Sequence, residues 1–276
     1  IIGKMANHRS WPDTYINGAV DEIMIFNRGL SAVEIQQLYD TGRGVVPPST
    51  NTLAGAITGI LARAGSPYQV SGNLTVPAGG SLLIEAGVTL NFEGHYYLDV
   101  DGRITVAGTE AEPVLFTATD HTNGWAGVRV MENWNTNVFN NAIFEYGRAL
   151  APYVPPYNGP DREGAGMFVQ NSRVTVDGCL FRYNKATSHG SALSMVPSSS
   201  ADLLVQNSVF KWNETVGNCA GYGAVCLYAD VTTNVSIRIL GCEIAYNTAR
   251  DEGAGISYWM PPAMPDAGAL LIANNV

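Results

Sequence analysis

From residue 139 onward, apolar and polar positions alternate in short runs that return at regular intervals. VTVDGCLFRYN occupies 174–184, LLVQNSVFKWN 203–213 and SIRILGCEIAYN 236–247. A looser copy, FNNAIFEYG, stands at 139–147, and LLIANNV at 270–276 has the opening of another. With the residue after the Gly or Asn as anchor, the copies align at Ala142, Cys179, Ser208, Cys242 and Val276, spaced by 37, 29, 34 and 34 residues. Self-similarity at this spacing marks a repeat architecture. Within a copy the period is two. Cys179, Phe181 and Tyr183 alternate with Leu180 and Arg182, which predicts a strand with one face inward. Ala142, Ser208 and Cys242 share the column of Cys179; Phe144, Phe210 and Ile244 share that of Phe181; Tyr146, Trp212 and Tyr246 share that of Tyr183. Asn184, Asn213 and Asn247 close the strand, with Gly147 in the first copy. Asn tolerates left-handed backbone geometry, and a stack of such side chains would form a ladder.

A second strand follows each Asn at a variable distance: GAGMFV at 164–169, GSALSM at 190–195, GAVCLY at 223–228 and GAGISY at 253–258, with Met167, Leu193, Cys226 and Ile256 in one column. Each repeat is therefore strand, turn, strand, turn, and no helical period is present. One coil cannot bury its apolar face, but coils stacked about 4.8 Å apart share a continuous core. Upstream, short alternating strands are expected at 74–76, 82–84, 89–92, 97–100, 104–106 and 114–116. The apolar stretch 54–64 reads as strand because Gly59 interrupts it. These repeats resemble the right-handed parallel β-helix of secreted bacterial surface proteins, built from loose NCxFxxN units. The run at 57–119 resembles the opening coils of the same family.

The first 43 residues have another character. INGAVDEIMIFNRGLSAVEIQQLYDTG contains a turn at Asn17-Gly18, a strand over 19–26, and a helix over 32–39 that Gly42 ends. Ser31 caps that helix, and Glu34 completes the capping box. This stretch resembles the C-terminal end of LamG-like (concanavalin-like) jelly-roll domains, in which Asp21 and Glu22 would hold the last strand and its turn. Pro47-Pro48 and a Ser/Thr/Asn run make 44–56 a linker. The expected fold is all-β: a jelly-roll remnant at 1–43, a linker at 44–56, and a right-handed parallel β-helix over 57–276, truncated at its C-terminal end. The chain reads as a piece of a longer polypeptide.

Charge and cysteines narrow the function. Fifteen Lys and Arg against 24 Asp and Glu give a net charge of −9, which opposes nucleic acid and anionic membrane surfaces. No apolar run reaches the length of a membrane-spanning helix, so no membrane insertion is expected. Cys179 and Cys242 flank Ser208 in one inward column, about 9–10 Å apart over two coils and out of disulfide reach. Cys219, in GNCAGYG, is the one placed to pair with Cys226. With no Cys-x-x-Cys or His/Cys cluster, no metal site and no cofactor are expected.

Candidate chemistry lies in the segments after each Asn: 148–163, 185–189, 214–222 and 248–252. Stacked coils would bring them to one edge, and loops on a rigid scaffold are where function collects. That edge gathers Tyr153, Tyr157, Asp161, Arg162, Glu163, Lys185, His189, Glu214, Arg250, Asp251 and Glu252. Sugar faces stack on aromatic rings, and hydroxyls pair with carboxylates and Arg. Catalysis would need more: a lyase needs charge neutralisation of a uronate plus a base, a glycosidase two carboxylates at a set separation. The polygalacturonase signature (Asn-Thr-Asp, Asp-Asp, Gly-His-Gly, Arg-Ile-Lys) is absent apart from the fragment Ser188-His189-Gly190. An outward column of Glu145, Arg182, Lys211 and Ala245 reads as a surface ladder, and Trp125 as a packing residue. The resemblance and this edge together imply an extracellular or cell-surface module that binds polysaccharide or cell-surface glycan without catalysing. A polysaccharide lyase or glycoside hydrolase at the same edge, and a structural stalk, are the alternatives.

Overall fold

The computed structural model describes residues 51–152, 159–197, 200–217, 223–228, 235–250, 253–259 and 268–276. The expected jelly-roll remnant at 1–43 and Cys219 lie outside the described residues. Those described form a parallel β-helix. Its first face is an eight-stranded sheet: Gly59–Leu61, Ser81–Glu85, Arg103–Ala107, Asn137–Asn140, Arg173–Asp177, Ala201–Gln206, Val235–Leu240 and Gly268–Ala273. A second face carries Thr89–Phe92, Val114–Ala118, Ala142–Glu145, Leu180–Arg182, Val209–Lys211 and Glu243–Ala245. A short face follows, with two residues per coil: Arg148–Ala149, Lys185–Ala186, Glu214–Thr215 and Thr248–Ala249. The third face carries Leu98–Val100, Val128–Met131, Met167–Gln170, Leu193–Met195, Val225–Tyr228 and Ile256–Trp259. Near the start, the long strand Tyr68–Val76 serves two faces at once: its first half pairs with Thr89–Phe92, its second with Leu98–Val100. The strand Thr52–Ala56 pairs with it as well, so regular structure begins inside the stretch expected to be linker.

Alternation along the strands builds the core. Val174 and Val176 point in from the first face, Phe144, Phe181 and Phe210 from the second, and Met167 and Val169 from the third; all are fully or almost fully buried. In-register pairing places the phenylalanines one above another, at 4.6 Å between Phe144 and Phe181 and 4.9 Å between Phe181 and Phe210. Trp125 is buried against Phe92 at 4.5 Å and donates its indole N–H to the Glu145 carbonyl at 2.8 Å. It is a packing residue, as expected.

The two corners that flank the second face each have a ladder. At the corner after the second face, the Asn213 amide donates to the Phe181 carbonyl at 3.0 Å and to Asn247 Oδ1 at 3.0 Å. Its own Oδ1 accepts from the Asn184 backbone N–H at 3.1 Å. In the first copy Gly147 donates to Asn184 Oδ1, and a side chain there would run into the Ala165 carbonyl. At the corner before the second face, Cys179 and Ser208 play a similar part. The Ala142 N–H donates to Cys179 Sγ at 3.4 Å, and the Cys179 N–H to Ser208 Oγ at 3.1 Å. This column therefore needs small side chains that accept hydrogen bonds as well as small volume. Cys179 and Cys242 are buried and unpaired, and burial pushes the Cys179 thiol up to about 12.

Three expected columns are corrected. Tyr183, Trp212 and Tyr246 do not point inward: they are 37%, 46% and 73% exposed. With Tyr146 they occupy the left-handed region, φ 57–59°, so the strand's alternation ends one residue early. The left-handed residue at this corner is the aromatic one, and the Asn follows it. Left-handed backbone costs roughly 1–2 kcal/mol for an L residue. Ring stacking offsets part of that, along a row from His121 over Tyr146, Tyr183 and Trp212 to Tyr246. Met167 pairs with Leu193, and Leu193 with Val225, not Cys226. In the last copy Asn274 takes the turn at φ 57°, so Asn275, not Val276, stands in the Cys179 column and accepts the Cys242 N–H at 2.8 Å.

Replacing Asn213 by Ala should lower unfolding stability by about 3 kcal/mol, since buried carbonyls and an N–H lose their partners. Lys211→Ala, at a partly exposed ion pair with Glu243, should cost about 1 kcal/mol or less. Urea unfolding of the two variants checks the contrast.

Candidate functional site

The third face should show water an outward column, and register defines it: Asp99, Arg129, Phe168, Ser194, Cys226 and Ser257 stand in line on successive coils. Yet Phe168, Ser194 and Cys226 are buried. The segments that enter these strands fold back over them. Gly164 and Gly190 make this possible, with φ of 57° and 55°. A Cβ on Gly164 would come within 2.9 Å of Phe168 Cα, and one on Gly190 within 3.0 Å of Ser194 Cα.

Glu163 is carried over the column in this way. It is fully buried. Its Oε2 accepts from Ser194 Oγ at 3.2 Å, and its Oε1 has no partner among the described residues. Burial pushes its carboxyl up to about 8, against the smaller opposing effects of the Ser194 hydrogen bond and the Arg162 charge. Cys226 lies under the same cover, and burial raises its thiol, with the Glu163 charge adding to the effect.

The open end of the column is at Asp99 and Arg129. The Arg129 guanidinium lies 4.1 Å from the centre of the Tyr97 ring and donates from Nη2 to Asp161 Oδ1 at 2.7 Å. The Arg129 side chain is only 10% exposed, whereas that of Asp161 is 68% exposed. Burial raises the Asp99 carboxyl; Arg129 opposes the shift, while Asp101 and Asp161 add to it. The patch thus offers an exposed carboxylate fixed by a buried cation, on a rigid sheet. Asp99 and Asp161 adjoin the one guanidinium, and Asp101 is close enough to act on Asp99; this local excess of carboxylates suits a neutral, hydroxyl-rich ligand better than a polyanion.

The expected loop edge resolves into two places. Asp161, Arg162, Glu163 and His189 come together at the third face: the Ser188 N–H donates to the Arg162 carbonyl at 3.0 Å, and the His189 ring lies parallel to that of Tyr228 at 6.1 Å. Arg162 and His189 are buried. Lys185 and Glu214 stand apart on the short face as an ion pair of 2.6 Å, each side chain about two-fifths exposed. Arg250 is exposed just beyond the last short strand. Tyr153, Tyr157, Asp251 and Glu252 lie outside the described residues. The outward column of the second face is a surface ladder as expected: Arg182 pairs with Glu145 at 2.6 Å, and Lys211 with Glu243 at 2.8 Å. Among the described residues, no group of three or more His, Cys, Asp or Glu is arranged to hold a metal ion.

Tyr97, Asp99 and Arg129 were not among the sequence candidates. The sequence does carry a signal for two of them: Asp99 sits between Leu98 and Val100, and Arg129 between Val128 and Val130, each a charge at the outward position of a buried strand. Residues 56–186 match the family model of the pectate-lyase like beta helix domain. No curated protein and no solved structure matches the chain. The pectate-lyase like match takes in Tyr97, Asp99, Arg129, Asp161 and Glu163, and it ends at the short face before His189.

Glu163 makes stability depend on pH. Its folded value of about 8 lies above the ordinary carboxylate value of 4.5. The folded state therefore holds the proton more tightly, and its contribution is complete below the ordinary value and lost as pH rises through the window to about 8. Thermal unfolding followed across that window should show a midpoint that falls for the wild type. Glu163→Gln should flatten the fall and be the more stable of the two at its alkaline end.

Proposed function

We propose that this chain is a polysaccharide-binding β-helix module acting outside the cell, with its ligand lying across the coils of the third face at Tyr97, Asp99, Arg129 and Asp161. The observation that carries this reading is the Arg129 clamp. A guanidinium held between a ring at 4.1 Å and a carboxylate at 2.7 Å fixes Asp161 as an exposed acceptor before any ligand arrives. A preorganised acceptor loses little on ordering, which favours binding. The match to the pectate-lyase like beta helix domain supports a polysaccharide as the ligand class, and the local excess of carboxylates favours its neutral residues. The binding reading is preferred to catalysis because Glu163, the carboxyl whose raised value near 8 would suit proton transfer, has no exposed surface from which to reach a substrate.

One observation favours a second reading, a lyase or hydrolase at the same patch: Asp99, with its raised carboxyl, adjoins Arg129 in register. Titration calorimetry against neutral and acidic plant polysaccharides, paired with assays for new reducing ends and unsaturated sugars, separates the two. Asp161→Ala should weaken binding about tenfold, equal to about 1.4 kcal/mol, without shifting thermal stability, and no product should appear. Product release by the wild type that is lost in Asp99→Asn would replace the binding module with the enzyme.

A further inference from the structure

The first face carries a different surface. A shallow basin there, of about 590 Å³, is lined by Trp134, Arg173, Asp202, Arg238 and two serines, Ser200 and Ser236. We propose that this basin is a second saccharide site, for an anionic sugar bearing a carboxylate or sulfate, independent of the third-face patch.

The first argument is charge. Asp202 is shared by two arginines, Arg173 Nε at 3.3 Å and Arg238 Nη2 at 3.4 Å. Both contacts are long, and the guanidinium side chains are 48% and 42% exposed. One carboxylate leaves most of the N–H donors of two guanidiniums uncommitted and the basin net positive, in a chain of net charge −9. Planar guanidinium forks match carboxylate and sulfate oxygens. Arg173 and Asp202 stand opposite each other on adjacent coils, while Arg238 is one coil further and two residues along. The charges are therefore stepped along the helix axis at the coil spacing of about 4.8 Å, comparable to the length of one sugar ring.

The second argument is the way Trp134 is held. An exposed Trp alone means little, but this one, 44% exposed, sits in a rigid frame. Asn133 donates to the Val100 and Gly102 carbonyls at 2.7 and 2.6 Å. The Asn135 N–H donates to Asn133 Oδ1 at 3.0 Å. Asn137 accepts the Ile104 N–H at 3.2 Å and donates to the Arg173 carbonyl at 3.2 Å. Asn133 and Asn137 are buried. The backbone that carries the indole is thus held, and the guanidinium of Arg173 lies 5.9 Å from its ring centre. Stacked aromatic rows elsewhere turn their ring faces to one another; this ring has no aromatic neighbour among the described stacks. A flat apolar plate beside two forked cations is what an acidic sugar ring requires.

Titration calorimetry on the whole chain, with an oligogalacturonate, a sulfated oligosaccharide and a neutral oligosaccharide of matched length, tests this. At low salt one or both anionic probes should bind at least about tenfold more tightly than the neutral one, and salt should erase the difference. The better anionic probe identifies carboxylate or sulfate as the group bound. Arg238→Gln and Trp134→Ala should each weaken that probe about tenfold with unchanged circular dichroism, and Asp202→Asn, which removes the competing carboxylate, should strengthen it. Asp161→Ala should leave it unaltered. No preference for either anion, or unchanged affinity in folded Arg238→Gln and Trp134→Ala, would overturn the proposal. So would loss of binding in Asp161→Ala, which would move the anion to the third face.

Discussion

Coil-to-coil hydrogen bonding at the corners is the constraint on which everything else rests. A strand in a parallel stack can satisfy its backbone with the strands on either side, but a bend leaves N–H and C=O groups pointing nowhere. Here the two bends that flank the second face are closed by side chains of the neighbouring coil. Asn184, Asn213 and Asn247 each reach a carbonyl of the preceding coil, and Cys179, Ser208 and Asn275 accept a backbone N–H. Because each ladder member bonds to the one beside it, a shift of one residue in any coil would break several bonds at once. Register is thereby fixed, and only with fixed register do Phe144, Phe181 and Phe210 stack and do Asp99 and Arg129 stand side by side.

Much of this was legible in the chain. Period-two alternation and the recurring Asn are local signals, and they place the second-face strands and the Asn ladder correctly. The errors fall where the backbone leaves the extended region. Alternation maps onto inside and outside only while a strand stays straight, so Tyr183, Trp212 and Tyr246, in left-handed geometry, escaped it. Cys226 was misplaced because Val225 follows Gly223 by two residues, whereas Met167, Leu193 and Ile256 follow Gly164, Gly190 and Gly253 by three, so aligning by the glycine slipped the column by one. Val276 slipped likewise at Asn274-Asn275.

The candidate sites were legible only in part, for a different reason. Asp161 and Glu163 belong to a loop whose length singles it out, whereas Tyr97, Asp99 and Arg129 come from coils that look merely structural. The Arg129–Asp161 contact spans 32 residues, and nothing local in either segment announces it. The same holds on the first face, where Arg173 and Arg238 gain meaning only when stacking brings them around Asp202. Stacking coils on a fixed register turns outward positions into columns, and columns of different charge give the two faces different chemistry.

The most direct measurement of the central claim is hydrogen exchange read by mass spectrometry, on the chain alone and saturated with a polysaccharide it binds. If the third face is a ligand surface built on a scaffold already rigid, exchange should slow at 97–101 and 159–164 while the strands of the second face stay as they were. Slowing confined to the second face or to the short face, with 97–101 and 159–164 unchanged, would contradict the account.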